Sequence, residues 1–542
     1  MNDIVITYKG EPKIFKRNTT YKDIVETFSN QNDILACKIN GEVISLSEMA
    51  TENSSIDFIN KNSMEGRTIY KSAIKCIFIN VVKKLYSAAE VHIDHSVPLG
   101  IYVRVEMDKK LTEEDANLIK KAMFEEIEKD LKFNKKIVKK NDAIKFYNSK
   151  KEYEKANNAS NVIDPVLSLF EYDNNYNYFY SEMPYSSKII DNFDLVYLND
   201  NKFVIVLPTY YGEKSIYNHH EKIIKSFEES KEWLKRQNTL YYEKLNLIVG
   251  NGKIKKFIES NEIKFNSQID DVVNTITKDK EVKMILIAGP SSSGKTTTTK
   301  RIASYLTAKG YKPINLSLDD YYLDRHEIKK DENGDYDFES VNALDINLFK
   351  KDINDLFNNK TIKPPVYDFI QGEKVAGNEL YKLEENSIVL VEGINALNSV
   401  FDNIIDVKKV KIYLSPFMSI NIDRHNYVST IDLRLIRRII RDNRTRGYGV
   451  ATTIHNWDKV RKGEEKNIFP FIKEADIIIN TALEYEIGVL KVYIEPLLLS
   501  VNINSPYYAE ARRLLSFLKQ FFPIPSEYVN RDSIIREFIG GN

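Results

Sequence analysis

The stretch MILIAGPSSSGKTTTTKRIASYLTAKG, Met284 to Gly310, decides how the chain is read. Met284 to Ala288 is a short apolar run of the kind that forms a buried parallel strand. It leads directly into Gly289, Pro290, Ser291, Ser292, Ser293, Gly294, Lys295, Thr296 and Thr297, and then into a helical pattern that stops at Gly310. Strand, G-x-x-x-x-G-K-[ST] loop and helix in this order make a phosphate cradle. The glycines let backbone N–H groups turn inward on an anion, and the helix N-terminus adds partial positive charge. Lys295 reaches the β and γ oxygens of a triphosphate, and Thr296 offers a hydroxyl to Mg²⁺. The segment therefore predicts binding of a nucleoside triphosphate by an α/β sheet flanked with helices.

Composition sets outer limits on the rest. A chain of 542 residues is too long for one core, and three or four domains are expected. Lys plus Arg and Asp plus Glu number 78 each, so no global field draws the protein to nucleic acid or anionic lipid. Cys37 and Cys76 lack any metal-binding spacing and read as free thiols of a reducing compartment. The N-terminus has no apolar signal core and no apolar run approaches the length of a membrane span. The expectation is a cytoplasmic chain with no membrane partner.

Downstream of the cradle, the strand KPINLSL ends in Asp319, Asp320, Tyr321 and Tyr322. Residues just past the carboxyl end of a parallel strand face the ligand crevice, and a carboxylate there can take the proton of an attacking hydroxyl. Asp319 is that candidate, against the alternative of a helix cap. Pro364, Pro365, Val366, Tyr367, Asp368 and Phe369 form a stiff aromatic segment suited to a flat ring, and Tyr322 joins Tyr367 and Phe369 as an acceptor-pocket candidate. SIVLVEGINAL reads as a second buried strand ending in Glu392, placed with Thr296 to hold Mg²⁺. Between Asp432 and Gly447 the arginines Arg434, Arg437, Arg438, Arg441, Arg444 and Arg446 recur at helical spacing. They can converge on a triphosphate, Arg438 and Arg441 with Lys295 offsetting the charge that moves during transfer.

The front half carries no comparable motif. Residues 1–60 read as a small mixed sheet with one helix opening near Thr20. Residues 61–240 begin with a helix whose inward positions are Ile74, Phe78, Val81, Val82 and Leu85, followed by the strand pair VHIDHSV and GIYVRVEM. A helix capped by Thr112 and Asp115 then turns Leu118, Ala122, Met123, Ile127 and Leu131 inward. His92 and His95 read as packing histidines rather than a metal pair. Residues 241–280 are a helical connection, 281–500 the cradle domain and 501–542 a helical extension. No Gly/Ser-rich or Pro-rich linker separates the halves, which predicts packed rather than tethered domains.

Residues 1–60, chiefly KINGEVISLSE, resemble the TGS module of threonyl-tRNA synthetases, and residues 61–240 resemble the second additional domain of that family. Its editing site is a helical HxxxH, matched here by Lys71 and Lys75, which implies that hydrolytic editing is absent. GPSSSGKTT, SLDDYY, PPVYDF, VLVEGI and DLRLIRRIIRDNRTRG, in this order, resemble the uridine kinase and phosphoribulokinase group of P-loop kinases. That resemblance implies phosphorylation of a nucleoside 5′-hydroxyl with ATP and Mg²⁺, with Asp319 as base and Asp337 at the ribose. It also implies Tyr367 and Phe369 about the base, and Arg434, Arg437, Arg438, Arg441 and Arg446 in the lid region with the phosphates of ATP. The chain departs from pyrimidine-specific members after YDF, where Ile370, Gln371, Gly372, Glu373 and Lys374 replace a histidine and an arginine; Gln371 can still bond a base edge. The implied partner is a nucleoside. RNA contact through the front half, an acceptor that is another sugar alcohol, and a homo-oligomer stay open as alternatives.

Overall fold

The computed structural model describes residues 3–29, 33–210, 212–330, 334 and 336–541. The N-terminal sheet is mixed. Strand Asp3–Tyr8 pairs antiparallel with Glu11–Lys16 and parallel with Ser54–Asn60, and Ile34–Ile39 and Glu42–Ser45 complete five strands. Helix Tyr21–Phe28 starts where the Thr20 side chain accepts from the Asp23 N–H, and its Ile24 and Val25 join Ile4 and Ile6 in one apolar core.

Helix α1 (Met64–Leu85) is the longest element of the front half. The single apolar face expected for it is only part of what it buries, because Ser72, Lys75 and Asn80 are buried too, while Leu85 is exposed. A four-stranded antiparallel sheet, in the order Asp194–Asn199, Lys202–Val206, Gly100–Glu106 and Glu90–Val97, packs beside α1. A smaller three-stranded sheet holds Asn134–Lys139, Val166–Tyr172 and Asn175–Asn177. Helix α2 (Glu113–Glu128) opens on the predicted capping box between Thr112 and Asp115. His95 is a packing residue, its ring stacked 4.5 Å from Tyr102 and 3.4 Å from Phe227.

The back half is built on a parallel five-stranded sheet: β1 (Val282–Ala288), β2 (Lys312–Ser317), β3 (Ser387–Glu392), β4 (Lys408–Ser415) and β5 (Ile477–Asn480), in the order β2-β3-β1-β4-β5. β1 is buried at all but one position, which is why it reads as a continuous apolar run. Helix α3 (Ile254–Thr277) lays Ile258, Phe265, Ile269 and Val273 into the core shared with α4 (Lys295–Ala308) and the sheet. Helices α5 (Thr430–Arg446) and α6 (Val450–Asn467) follow β4, and the chain ends on Tyr508–Leu518 and Arg536–Ile539.

The halves interlock through residues 416–428. The Ile93 N–H donates to the Arg424 carbonyl at 2.7 Å, and Asn158 Nδ2 to the Ile422 carbonyl at 2.6 Å. Arg424 Nε lies 2.6 Å from Glu154 Oε1. Among the described residues no helix is long and apolar enough to cross a membrane.

Candidate active site

Local sterics dictate the cradle loop. A Cβ on Gly289 would sit 2.4 Å from the Leu414 carbonyl oxygen, so β4 approaches too closely for any side chain. Gly294 has φ +87°, left-handed backbone that lets the chain turn from the loop into α4, and Ser292 adopts φ 59°. Ser292 and Ser293 are buried, and their hydroxyls have no hydrogen-bond partner among the described residues. Lys295 Nζ curls back to the Pro290 carbonyl at 3.4 Å. The first N–H groups of α4 open onto this loop, the arrangement that receives phosphate oxygens.

Strand register brings the carboxylates to the same level. Ser317 at the end of β2 pairs with Glu392 at the end of β3, and Glu392 pairs with Ile287 of β1, two residues before the cradle. Thr296 Oγ1 donates to Glu392 Oε1 at 2.9 Å, and Ser317 Oγ reaches the same oxygen at 3.4 Å. Burial, with the Asp319 charge beside it, pushes the Glu392 carboxyl up to about 7, against the opposing charge of Lys295. Asp319 lies two residues past Ser317, whose Oγ accepts from the Asp319 N–H at 3.3 Å. Its own half-buried carboxylate accepts no hydrogen bond among the described residues. Asp320 turns to structure instead, its Oδ1 accepting from the Tyr367 N–H at 3.3 Å. A hydroxyl and a carboxylate already in contact, with a second carboxylate beside them, are hard oxygen donors that fit a Mg²⁺ ion.

The acceptor-side aromatics meet one another. Tyr322 packs edge-on to Tyr367 at 5.5 Å and to Phe369 at 6.1 Å, and Tyr367 to Phe369 at 5.0 Å. Tyr322 and Tyr367 are buried and belong to the core, whereas Phe369 is exposed. The Tyr322 hydroxyl donates to the Phe338 carbonyl at 3.0 Å, while the Tyr367 hydroxyl is buried without a partner. Gln371 is exposed in the turn of the hairpin Pro365–Asp368 and Glu373–Ala376, where only its N–H is bonded, to Asp368. Asp337 is half-buried, and among the described residues its N–H donates to the Lys329 carbonyl at 3.2 Å while its carboxylate has no partner.

The arginines divide into two groups, which helical spacing alone does not reveal. Arg434 and Arg437 are 2% and 0% exposed. Arg434 Nε donates to the Ser291 carbonyl at 2.9 Å while its guanidinium pairs with Glu464. Arg437 pairs with Glu486 at 2.8 Å and donates to the Thr481 carbonyl at 2.9 Å and the Ser292 carbonyl at 3.4 Å. Both therefore brace the cradle through its backbone carbonyls. Most of their N–H groups are taken by these protein acceptors. Arg438 Nη1 donates to Ser291 Oγ at 3.0 Å, and Arg438, Arg441 and Arg446 gather on the buried Asp442 carboxylate at 3.2, 2.9 and 3.5 Å. Arg446 also lies over the Phe369 ring at 5.7 Å, so this second group reaches from the loop to the aromatic wall.

Two carboxylates of the site have no counterpart in the sequence reading. Glu339 keeps Oε2 buried with no hydrogen-bond partner among the described residues, and burial pushes its carboxyl up to about 7, Arg438 and Lys295 opposing and Glu464 and Asp319 reinforcing. Its only signal is its place two residues past Asp337. Glu537 accepts from Thr297 Oγ1 at 2.6 Å, and the Ile534 side chain fills the space over Gly294. Nothing local announces a contact spanning 240 residues.

Residues 284–487 match the model of the Phosphoribulokinase / Uridine kinase family. The chain is similar to uridine kinase of Staphylococcus epidermidis, 32% identical over 200 residues that cover 37% of this chain and 87% of that protein. Uridine kinase of Ligilactobacillus salivarius is 30% identical over 207 residues, covering 38% and 88%. Among solved structures, a possible uridine kinase from Bacillus stearothermophilus aligns over 40% of this chain and 100% of that one, at 16% identity and a TM-score of 0.28.

Proposed function

The chain belongs to the phosphoribulokinase and uridine kinase family through residues 284–487, and on that premise we propose that it transfers the γ-phosphoryl group of ATP to the 5′-hydroxyl of a nucleoside. The products are a nucleoside monophosphate and ADP. One observation carries the reading: Thr296 and Glu392 are in contact at 2.9 Å beside an Asp319 carboxylate left free at the tip of the neighbouring strand. The uridine kinases to which the chain is similar support a nucleoside as acceptor.

Each group then has one task. Lys295 and the first N–H groups of α4 hold the β and γ phosphates, and Thr296 with Glu392 holds Mg²⁺. Mg²⁺ held there would offset the negative charge of the phosphates. Asp319 accepts a hydrogen bond from the 5′-hydroxyl, aims it, and takes its proton as the new P–O bond forms. Arg438, Arg441 and Arg446 balance the charge that moves to the leaving oxygen. Phe369, backed by Tyr322 and Tyr367, offers a face to the base, with Gln371 for its edge and Asp337 for the ribose.

The test is ADP release from purified protein with ATP and Mg²⁺, with a panel of pyrimidine and purine nucleosides and sugar alcohols. ADP should form only with a nucleoside, and Asp319→Asn should lower kcat by about 10²-fold or more with nucleotide binding retained. Release with a sugar alcohol alone would refute the nucleoside assignment, and full turnover by the variant would remove the base role from Asp319.

A further inference from the structure

Beneath the cradle, between α1 and the back half, lies a cavity of about 210 Å³. Pro290 and Arg434 close it on the cradle side, and Arg67, Lys71 and Lys75 line it from α1. None of Lys295, Thr296, Asp319, Glu392 or Phe369 borders it, so it is a compartment apart from the nucleotide site.

Arg67, Lys71 and Lys75 are spaced i, i+4, i+8 and therefore share one face of the helix. Among the described residues Lys71 and Lys75 make no hydrogen bond and no ion pair. Lys75 is only 9% exposed, and its nearest partners are the rings of Phe179 and Tyr427, at 5.3 and 5.5 Å. Arg67 donates to the Thr209 carbonyl at 2.7 Å and lies over the Tyr210 ring at 3.6 Å, and its buried Nε has no hydrogen-bond acceptor among the described residues.

The acids on the same wall are already engaged. Arg513 holds Asp432 at 2.7 Å and Glu510 at 2.6 Å, and Glu465 accepts from the Tyr210 N–H at 2.7 Å. Lys71 and Lys75 have no ion-pair partner among the described residues, Glu465 is the acid that acts most on Arg67, and Asp432 and then Glu465 act on Lys71, so positive charge is in excess on this face and an anion entering the cavity would offset it. Burial accordingly lowers Lys71 to about 7 and Lys75 to about 8. Arg461 and Arg67 add to the first shift while Asp432 and Glu465 oppose it, and Asp423, Cys76 and Asp432 oppose the second.

We propose that this cavity is a second ligand site, in which Arg67, Lys71 and Lys75 hold a compact phosphomonoester dianion. A cavity of about 210 Å³ has room for a phosphate on a short polyol. On the wall the Ser72 hydroxyl, which accepts from Ser181 Oγ at 2.7 Å, keeps its own proton to donate to a polyol oxygen. Arg434 connects the two sites, because it borders the cavity and bonds the Ser291 carbonyl of the cradle. Ligand in the cavity changes nucleotide affinity through that bond, and nucleotide changes cavity affinity by the same factor.

The test separates the cavity from the cradle by binding phosphates to the full-length Lys295→Met protein. Equilibrium dialysis with inorganic phosphate and with ribose 5-phosphate should find one site per chain. Adding Lys71→Met and Lys75→Met should weaken it at least about thirtyfold. Methionine keeps the side-chain volume and removes buried charge, so the triple variant should melt no lower than Lys295→Met, which separates loss of the site from loss of the fold. Tighter binding of ribose 5-phosphate assigns the site to an organic ester, and equal binding assigns it to free phosphate. No binding by Lys295→Met, or undiminished binding by the triple variant, overturns the proposal.

Discussion

At Glu392 the structure sets a largely buried carboxylate, and the charge of a second acid, Asp319, acts on it. Its carboxyl, raised to about 7, binds a proton more tightly folded than unfolded. The stability it supports is thus complete below the ordinary carboxylate range and is lost as pH rises through about 7. In metal-free protein Glu392→Gln should match the parent at pH 5 and melt a few degrees higher at pH 8. Mg²⁺ added at pH 8 should raise the melting temperature of the parent and leave the variant unmoved. A scanning calorimeter reads both, and equal curves at pH 8 would contradict the burial argument. The cradle was legible at this scale because eight consecutive residues carry its whole geometry. Arg434 and Arg437 were not, since what turns them under the loop is Glu464 and Glu486, residues 30 and 49 positions away.

At the scale of elements, periodicity located helices better than it oriented them. The predicted capping box of α2 is present, yet Leu118, expected inward, is 48% exposed while Ile119 is fully buried. In a helix with apolar residues at both positions, the choice of face belongs to the sheet it meets. The C-terminal segment shows the same limit: its short helix Arg536–Ile539 reads as a terminal extension, but Ile534 covers Gly294 and Glu537 takes the Thr297 hydroxyl. This packing makes a prediction about Gly294. An alanine there has a strained backbone at φ +87° and a Cβ 2.5 Å from Ile534 Cδ1. Gly294→Ala should cost about 1–2 kcal/mol from backbone alone and more from the clash, and weaken nucleotide binding. Adding Ile534→Ala should recover the clash part only. Melting curves and nucleotide titration of the two variants check this, and a Gly294→Ala protein with parental stability would refute it.

At the scale of the molecule, the absence of a flexible linker gave the correct expectation that the halves pack together, but it could not show how. The joint is the segment 416–428, which continues from β4 and accepts the Ile93 N–H of the front-half sheet at the Arg424 carbonyl. Arg424 sits in it with Glu154 at 2.6 Å and Glu90 at 3.2 Å, Glu154 being nearly inaccessible to solvent. Removing one member of a shielded ion pair leaves the other buried and uncompensated. Arg424→Ala should therefore lower stability by roughly 3 kcal/mol, whereas replacing Arg424 and Glu154 together by apolar residues of similar size should cost less. Because α1 buries one face on its own sheet and another against the back half, the parent should unfold in a single calorimetric transition, and Arg424→Ala should shift that transition without dividing it. Two resolved transitions in the parent would mean that the halves hold their structure independently, and the coupling from α1 through Arg434 to the cradle would then have no rigid path to follow.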